Sequence, residues 1–198
     1  GASGTDAHVL TNHHCLRSSS VSQGADFLFS NRHSNCTGSQ TDLQTTIGGS
    51  SVVRTNSSLD YSLIQLASVP NSSIGYLQLS PNYVNVGDRL YILGHPRGGF
   101  QQASVKIDQG DATVHQRRFN GITYFADTEP GSSGSPVIDA QTHQVIAIHS
   151  AGGCPNLSYG RSDKLIADLG SNMPNNGVGP GPSACANRSN TIRIRVRF

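Results

Sequence analysis

Charge is scarce in this 198-residue chain: 13% of its residues are Asp, Glu, Lys or Arg, and the formal net charge is +2. That leaves no basic field for nucleic acid and no acidic tail. Lysine is especially rare, and no apolar run is long enough to span a bilayer as a helix. The cysteines, Cys15, Cys36, Cys154 and Cys185, include no CxxC pair, which argues against a zinc site. Helical periodicity is equally scarce. Only "DKLIADLG" (163–170) has helical spacing and a glycine stop.

What dominates instead is serine, threonine, asparagine and glycine, the composition of a secreted, β-rich protein. Four cysteines in such a chain favour two disulfides. Three pairings are open, and neighbour pairing, Cys15–Cys36 with Cys154–Cys185, is the preferred one. The first residue is Gly1 and no signal peptide precedes it, as expected of a processed chain or a fragment. Asn-x-Ser/Thr sites at Asn35, Asn56, Asn71, Asn156 and Asn187 are about as many as this composition yields by chance, so they say little about glycosylation.

Short β-branched or alternating runs recur between turn residues: "HVLTN" (8–12), "DFLFS" (26–30), "SVVRT" (51–55), "YSLIQLA" (61–67), "RLYILGH" (89–95), "ITYFAD" (122–127) and "HQVIAIHS" (143–150). This spacing predicts an all-β barrel or sandwich, with one short helix near its end. After Gly170 the composition turns to Pro, Gly and Asn, which predicts a linker over 171–183. The chain ends in "TIRIRVRF" (191–198), an amphipathic edge strand with three arginines on one face. The division is therefore a domain at 1–170 and a tail at 171–198.

The segment "DTEPGSSGSPV" (127–137) places two serines between glycines, with a proline on either side. A serine hydroxyl is a poor nucleophile near neutral pH and needs a base, a group that orients the base, and donors for an oxyanion. A glycine before the serine lets the backbone turn so that two N–H groups meet at one point. Ser133 is then the nucleophile, with the amides of Gly131 and Ser133 as the oxyanion hole. "VLTNHHC" (9–15) supplies a histidine after an apolar strand, and "DYSLIQL" (60–66) opens another strand with a carboxylate. The candidate base is His14 and the candidate orienting group Asp60. A metal reading of "HHC" lacks a second ligand cluster.

These motifs resemble those of the chymotrypsin-like serine proteases. "TNHHC" is similar to the T-x-x-H-C histidine motif, "DYSLIQL" to the D-[IY]-x-L aspartate strand, and "GSSGSP" to G-D-S-G-G-P, in the family's order. "LTNHHC", "TEPGSSGSP" and "GRSD" look most like the bacterial lysyl endopeptidase branch and its glutamyl endopeptidase cousins. The resemblance covers 1–170. It implies two antiparallel β-barrels of the chymotrypsin type with the triad between them and a short C-terminal helix. It also places His14 rather than His13 as the base. Only thirteen residues precede His14, so the first barrel is expected to be incomplete at its start. Ser132 stands where the trypsin type has the aspartate that pairs with a newly freed N-terminus, so that switch cannot operate in its usual form.

The resemblance also implies a substrate site. Ser150 matches the serine that supports the catalytic aspartate, and Ala151 to Gly152 the rail that pairs with substrate backbone. Two carboxylates, Asp163 in "GRSD" and Asp127 six residues before Ser133, would select Lys or Arg. Asp163 has a rival role as a helix cap. Thr128 and His149 match positions that hold a substrate carboxylate in glutamyl endopeptidases. The expectation is a secreted, monomeric serine endopeptidase acting on proteins or peptides, without metal, cofactor, nucleic acid or membrane. Basic specificity is preferred, and acidic specificity or an inactive protease-fold binding protein is the alternative.

Overall fold

A computed structural model of the chain describes residues 6–33, 45–71, 74–107 and 110–180. Cys36, Cys185, Asn35, Asn187 and the 191–198 strand lie outside the described residues.

The first lobe is a four-stranded antiparallel sheet in the order β1-β4-β3-β2. Its strands are β1 (His8–Thr11), β2 (Asp26–Phe29), β3 (Thr45–Asn56) and β4 (Tyr61–Leu66). Among the described residues this sheet is open, with β1 and β2 at its edges, as the expectation of an incomplete barrel requires. Ala7, Ile47 and Leu66 form its small core, with Val9, Phe27 and Phe29 packed beside them.

The second lobe closes. Two sheets, β13-β10-β9 and β14-β12-β11-β5-β6, are joined at both ends. They comprise β5 (Leu90–Gly94), β6 (Gln102–Ser104), β9 (Thr113–Arg117), β10 (Ile122–Phe125), β11 (Pro136–Asp139), β12 (Val145–Ile148), β13 (Asn156–Ser158) and β14 (Gly160–Arg161). An Arg89–Thr113 bridge links β5 to β9, and an Ala151–Leu157 bridge links the end of β12 to β13. A small hairpin, β7 (Lys106–Ile107) with β8 (Gly110–Asp111), lies between β6 and β9 in the chain.

Alternation along the strands divides the side chains between two cores. In β5, Leu90 and Ile92 face the barrel interior with Val114, Ile122, Tyr124 and Val137. Tyr91 and Leu93 point the other way, toward the cluster of Leu59, Tyr61, Leu63, Ile138, Ile148, Leu165 and Leu169. That second cluster joins the first sheet, the second barrel and the helix α2 (Ser162–Leu169). Because β12 serves both cores, all four of its residues are buried.

The sequence expectations meet the structure at most of these strands, and at α2. A second helix, α1 (Ser19–Gln23), was not expected. It is only five residues long and serine-rich, and it is held by tertiary contact. The Ser19 hydroxyl accepts from the Val52 amide at 3.1 Å, and an added Cβ on Gly49 would lie 2.3 Å from the Ser22 carbonyl. Residues 173–180, expected as linker, are instead bound to the domain. Leu79 donates to the Gly177 carbonyl and accepts from the Gly179 amide, both at 2.8 Å, and Met173 packs on the shared core. Proline and glycine here make a backbone that pairs with residues 78–79 and 144, which composition alone cannot distinguish from a tether.

Candidate active site

Antiparallel pairing of β1 with β4 sets Thr11 opposite Ser62. The segment leaving β1 and the segment entering β4 therefore meet at one end of the sheet. His14 is three residues past Thr11, Asp60 two before Ser62. Asn12, fully buried, ties the two together: its Nδ2 donates to the Asp60 carbonyl at 3.0 Å.

Asp60 is 7% exposed and has φ of 48°, a left-handed conformation that Asp tolerates better than most residues. Its carboxylate faces His14, with Nδ1 at 2.9 Å from Oδ2 and 3.1 Å from Oδ1, while the His14 amide donates to Oδ1 at 3.0 Å. A carboxylate only accepts, so Nδ1 carries the proton and Nε2 keeps its lone pair in the neutral ring. His14 is exposed on the side away from Asp60. His13 points elsewhere, to the Thr55 hydroxyl at 2.8 Å.

Ser133 lies in a tight turn between Pro130 and β11. Gly131 has φ of 92°, and an added Cβ would lie 2.7 Å from the Arg97 amide nitrogen, so only glycine fits. Gly134, with φ of 85°, backs onto β1: its Cβ would lie 2.5 Å from Thr11 Oγ1 and 3.6 Å from the Asn12 nitrogen. This contact brings the Ser133 turn against the residues that lead into His14. The turn is further fixed by Ser132 N to the Glu129 carbonyl, Ser135 N to the Ser132 carbonyl, and Gly134 N to the His149 carbonyl. Among the described residues the amides of Gly131 and Ser133 donate to no protein acceptor. No hydrogen bond joins His14 to Ser133 among the described residues.

His149 is 2% exposed. Its Nδ1 meets the hydroxyl of the fully buried Tyr124 at 2.5 Å. Burial pushes the Tyr124 pKa upward, so its proton stays on, and the hydroxyl has no other partner among the described residues. When it donates to Nδ1, the ring proton sits on Nε2 and every lone pair of the neutral ring is used. Burial, with a smaller push from His14, lowers the His149 pKa to about 4. Neutral His149 thus offers one N–H, unpaired among the described residues.

Thr128 Oγ1 donates to Asn156 Oδ1 at 2.9 Å, and an added Cβ on Gly152 would lie 3.6 Å from that hydroxyl. Asn156 is the unexpected organiser: buried, it also accepts from Gly153 N at 3.0 Å and donates to the Ala126 carbonyl at 2.6 Å. An asparagine in a sequence rich in asparagine carries no signal of this.

In the expected rail, Ala151 and Gly152 are both exposed, and the Ala151 N–H and C=O are taken by Leu157 at 3.0 and 2.9 Å. Ser150 Oγ accepts from Tyr159 N at 3.3 Å, and no bond to Asp60 accompanies it among the described residues.

Asp163 is not a free pocket carboxylate, contrary to the reading of "GRSD". Buried Arg161 grips both of its oxygens, Nε to Oδ1 at 2.5 Å and Nη2 to Oδ2 at 2.8 Å, and Arg161 Nη1 also reaches the Arg118 carbonyl. The helix-cap alternative fits no better, since α2 begins at Ser162 without a side-chain cap. Asp127 is exposed and lines a cavity of about 570 Å³ with Lys106, Thr128, Glu129 and Ser132, a cavity that excludes Ser133. Ser133 and Gly131 open instead onto a mostly apolar cavity of about 560 Å³ that reaches Thr11, Leu79 and His95.

Cys15 and Cys154 are exposed and form no disulfide among the described residues, and the partners expected for them, Cys36 and Cys185, lie outside those residues. The described histidines, cysteines and carboxylates gather into no metal-binding group. No helix among the described residues is long and apolar enough to cross a membrane.

Comparison with known proteins places this geometry. A secreted RxLR effector protein, number 73, of Plasmopara viticola is 31% identical over 176 residues, covering 84% of this chain and 44% of its own length. The chain thus spans less than half of that curated relative. Among solved structures, a Glu endopeptidase in complex with MPD superposes with a TM-score of 0.58 at 20% identity, over 82% of this chain and 78% of that one. The active form of the Rv3671c protease of M. tuberculosis superposes with a TM-score of 0.56 at 17% identity, over 89% and 72%. Both likenesses show a shared fold. Residues 2–148 match the family described as Trypsin-like peptidase domain, and the chain belongs to that family.

Proposed function

We propose that the chain is a secreted serine endopeptidase that cleaves after acidic residues, using His14, Asp60 and Ser133. The observation that carries the triad is the Asp60 carboxylate 2.9 Å from His14 Nδ1, which leaves Nε2 as a base beside the glycine-framed Ser133 turn. Ser133 Oγ attacks the scissile carbonyl while Nε2 takes its proton, and Asp60 stabilises the imidazolium. The amides of Gly131 and Ser133 receive the oxyanion. His14 then returns the proton to the leaving amine, and water repeats the sequence to release the acid. The lack of a His14–Ser133 hydrogen bond among the described residues is compatible with this, because catalytic bonds of this kind form or tighten on substrate binding.

The same geometry supports acidic rather than basic specificity. Asp163 is matched by Arg161 and so does not stand ready for a substrate ammonium. His149 presents an N–H donor that suits a carboxylate oxygen, with Thr128 and Gly152 near each other. An entering carboxylate would also favour protonation of His149, turning a neutral bond into a charge-assisted one. The name of the Glu endopeptidase neighbour and the secreted relative agree with this reading. A peptide-library cleavage profile tests it: enrichment of Glu or Asp before the cut is expected, and enrichment of Lys or Arg would overturn the specificity.

A further inference from the structure

Outside the triad, one carboxylate gathers more donors than any other in the described residues. Asp168, on α2, accepts at Oδ2 from the Tyr61 hydroxyl at 2.5 Å and from Arg54 Nε at 3.3 Å. At Oδ1 it accepts from Arg54 Nη2 at 3.3 Å and from Asn56 Nδ2 at 3.1 Å. All three donor residues come from the first sheet, on β3 and β4, whereas Asp168 belongs to the helix that follows the second barrel.

Two of those donors lead directly to Asp60. Tyr61 is its chain neighbour and is fully buried. Asn56 precedes the turn that ends at Asp60, and its Oδ1 accepts from the amides of Ser58 at 2.9 Å and Leu59 at 3.1 Å. Because the Asp168 carboxylate can only accept, it must face the NH2 of Asn56, which turns Oδ1 toward the turn. The helix thus sets which way the Asn56 amide points. Leu59 packs on Leu165 and Leu169, and its carbonyl lies 2.7 Å from where a Cβ of Gly160 would be, so the turn rests against α2 and its approach strand. This turn holds Asp60 at φ of 48°, a conformation that persists only when its surroundings dictate it.

We propose that Asp168 is a positioning residue for the reaction: through Asn56 and Tyr61 it holds the turn that aims the Asp60 carboxylate at His14. This rests on the triad reading above. The Arg54 hydrogen bonds, with those from Tyr61 and Asn56, keep the Asp168 pKa below its usual value, so the acceptor-only form persists across the working range of a protease.

An exchange of groups tests it. In Asn56→Asp two carboxylates would face each other, and in Asp168→Asn the donor and acceptor order would be free to flip. Each single variant is expected to lower kcat on an acidic peptide about 10-fold with KM changed less than about 2-fold. The rate of Ser133 labelling by a fluorophosphonate should fall in parallel. In the double variant Asn56→Asp/Asp168→Asn the carboxylate still receives Ser58 and Leu59 while the new amide donates to it. Recovery of kcat to within about 3-fold of wild type is expected. Tyr61→Phe, which removes one hydroxyl without changing shape, should lower kcat about 3-fold and serves if a single variant does not fold. Folded single variants with wild-type kcat, or a double variant no better than the worse single, would overturn the proposal. A wild-type protein that the fluorophosphonate does not label at Ser133 would remove the triad reading itself, and the proposal with it.

Discussion

The Tyr124 hydroxyl lies 2.5 Å from Nδ1 of His149, and the direction of this one bond decides which nitrogen of a buried imidazole carries the proton. With Nδ1 occupied as an acceptor, Nε2–H is the group offered to a ligand. Tyr124→Phe frees the tautomer. It should lower kcat/KM for a peptide with Glu before the cut about 10-fold, and change cleavage of the Gln counterpart much less. Equal losses on both peptides would show that Tyr124 only supports the barrel.

Asp163→Asn separates the two specificity readings. If Asp163 serves as the partner of Arg161, the substitution leaves a buried guanidinium short of its counter-charge. Stability should fall by about 2–4 kcal/mol, visible as a lower Tm, with the ratio of Glu to Lys cleavage unchanged. A protein of wild-type stability whose Lys cleavage had collapsed would restore Asp163 to the substrate pocket.

The low pKa of His149 fixes a direction for acid stability. Its folded value of about 4 lies below the ordinary 6.5, so between these the unfolded chain binds more protons than the folded one. Stability from this residue is complete above pH 6.5, falls as pH drops, and is fully lost near pH 4, a change of about 3 kcal/mol. Denaturant unfolding of wild type and His149→Gln across this range checks it. The wild type should lose more stability on acidification than the variant, and parallel curves would contradict the assignment.

Gly131→Ala would place a methyl 2.7 Å from the Arg97 amide nitrogen and force φ of 92° on a residue with a Cβ. Turnover should fall at least about 100-fold, the scale of losing an oxyanion donor, while KM changes far less. Near-wild-type turnover in the alanine variant would rule out this turn as the oxyanion site.

Much of this was legible in the chain because strands and glycine turns write themselves locally. β4 and β5 are short apolar runs bounded by turn residues, β1 ends at the histidine motif, and Gly131 and Gly134 sit where positive φ is required. Asp60 was found from its place before one of these runs. What was not legible depends on pairing across distance. Arg161 and Asp163 are two residues apart, yet only the folded sheet shows that the arginine is buried and turned back on its neighbour. Asn12, Asn56, Asn156 and Tyr124 carry the second layer of the site through bonds between remote segments, and nothing in their immediate sequence distinguishes them. The short helix at Ser19–Gln23 likewise exists by contact with β3.

The central claim is that Ser133 is a nucleophile activated by His14 and Asp60. Its most direct test is labelling with a serine-directed fluorophosphonate, followed by mapping of the modified residue. One mole of label per mole of protein at Ser133 is predicted, with labelling lost in Ser133→Ala, reduced by several orders of magnitude in His14→Ala, and retained in Ser132→Ala. Labelling at Ser132, or labelling of Ser133 that proceeds at the wild-type rate in His14→Ala, would contradict the account.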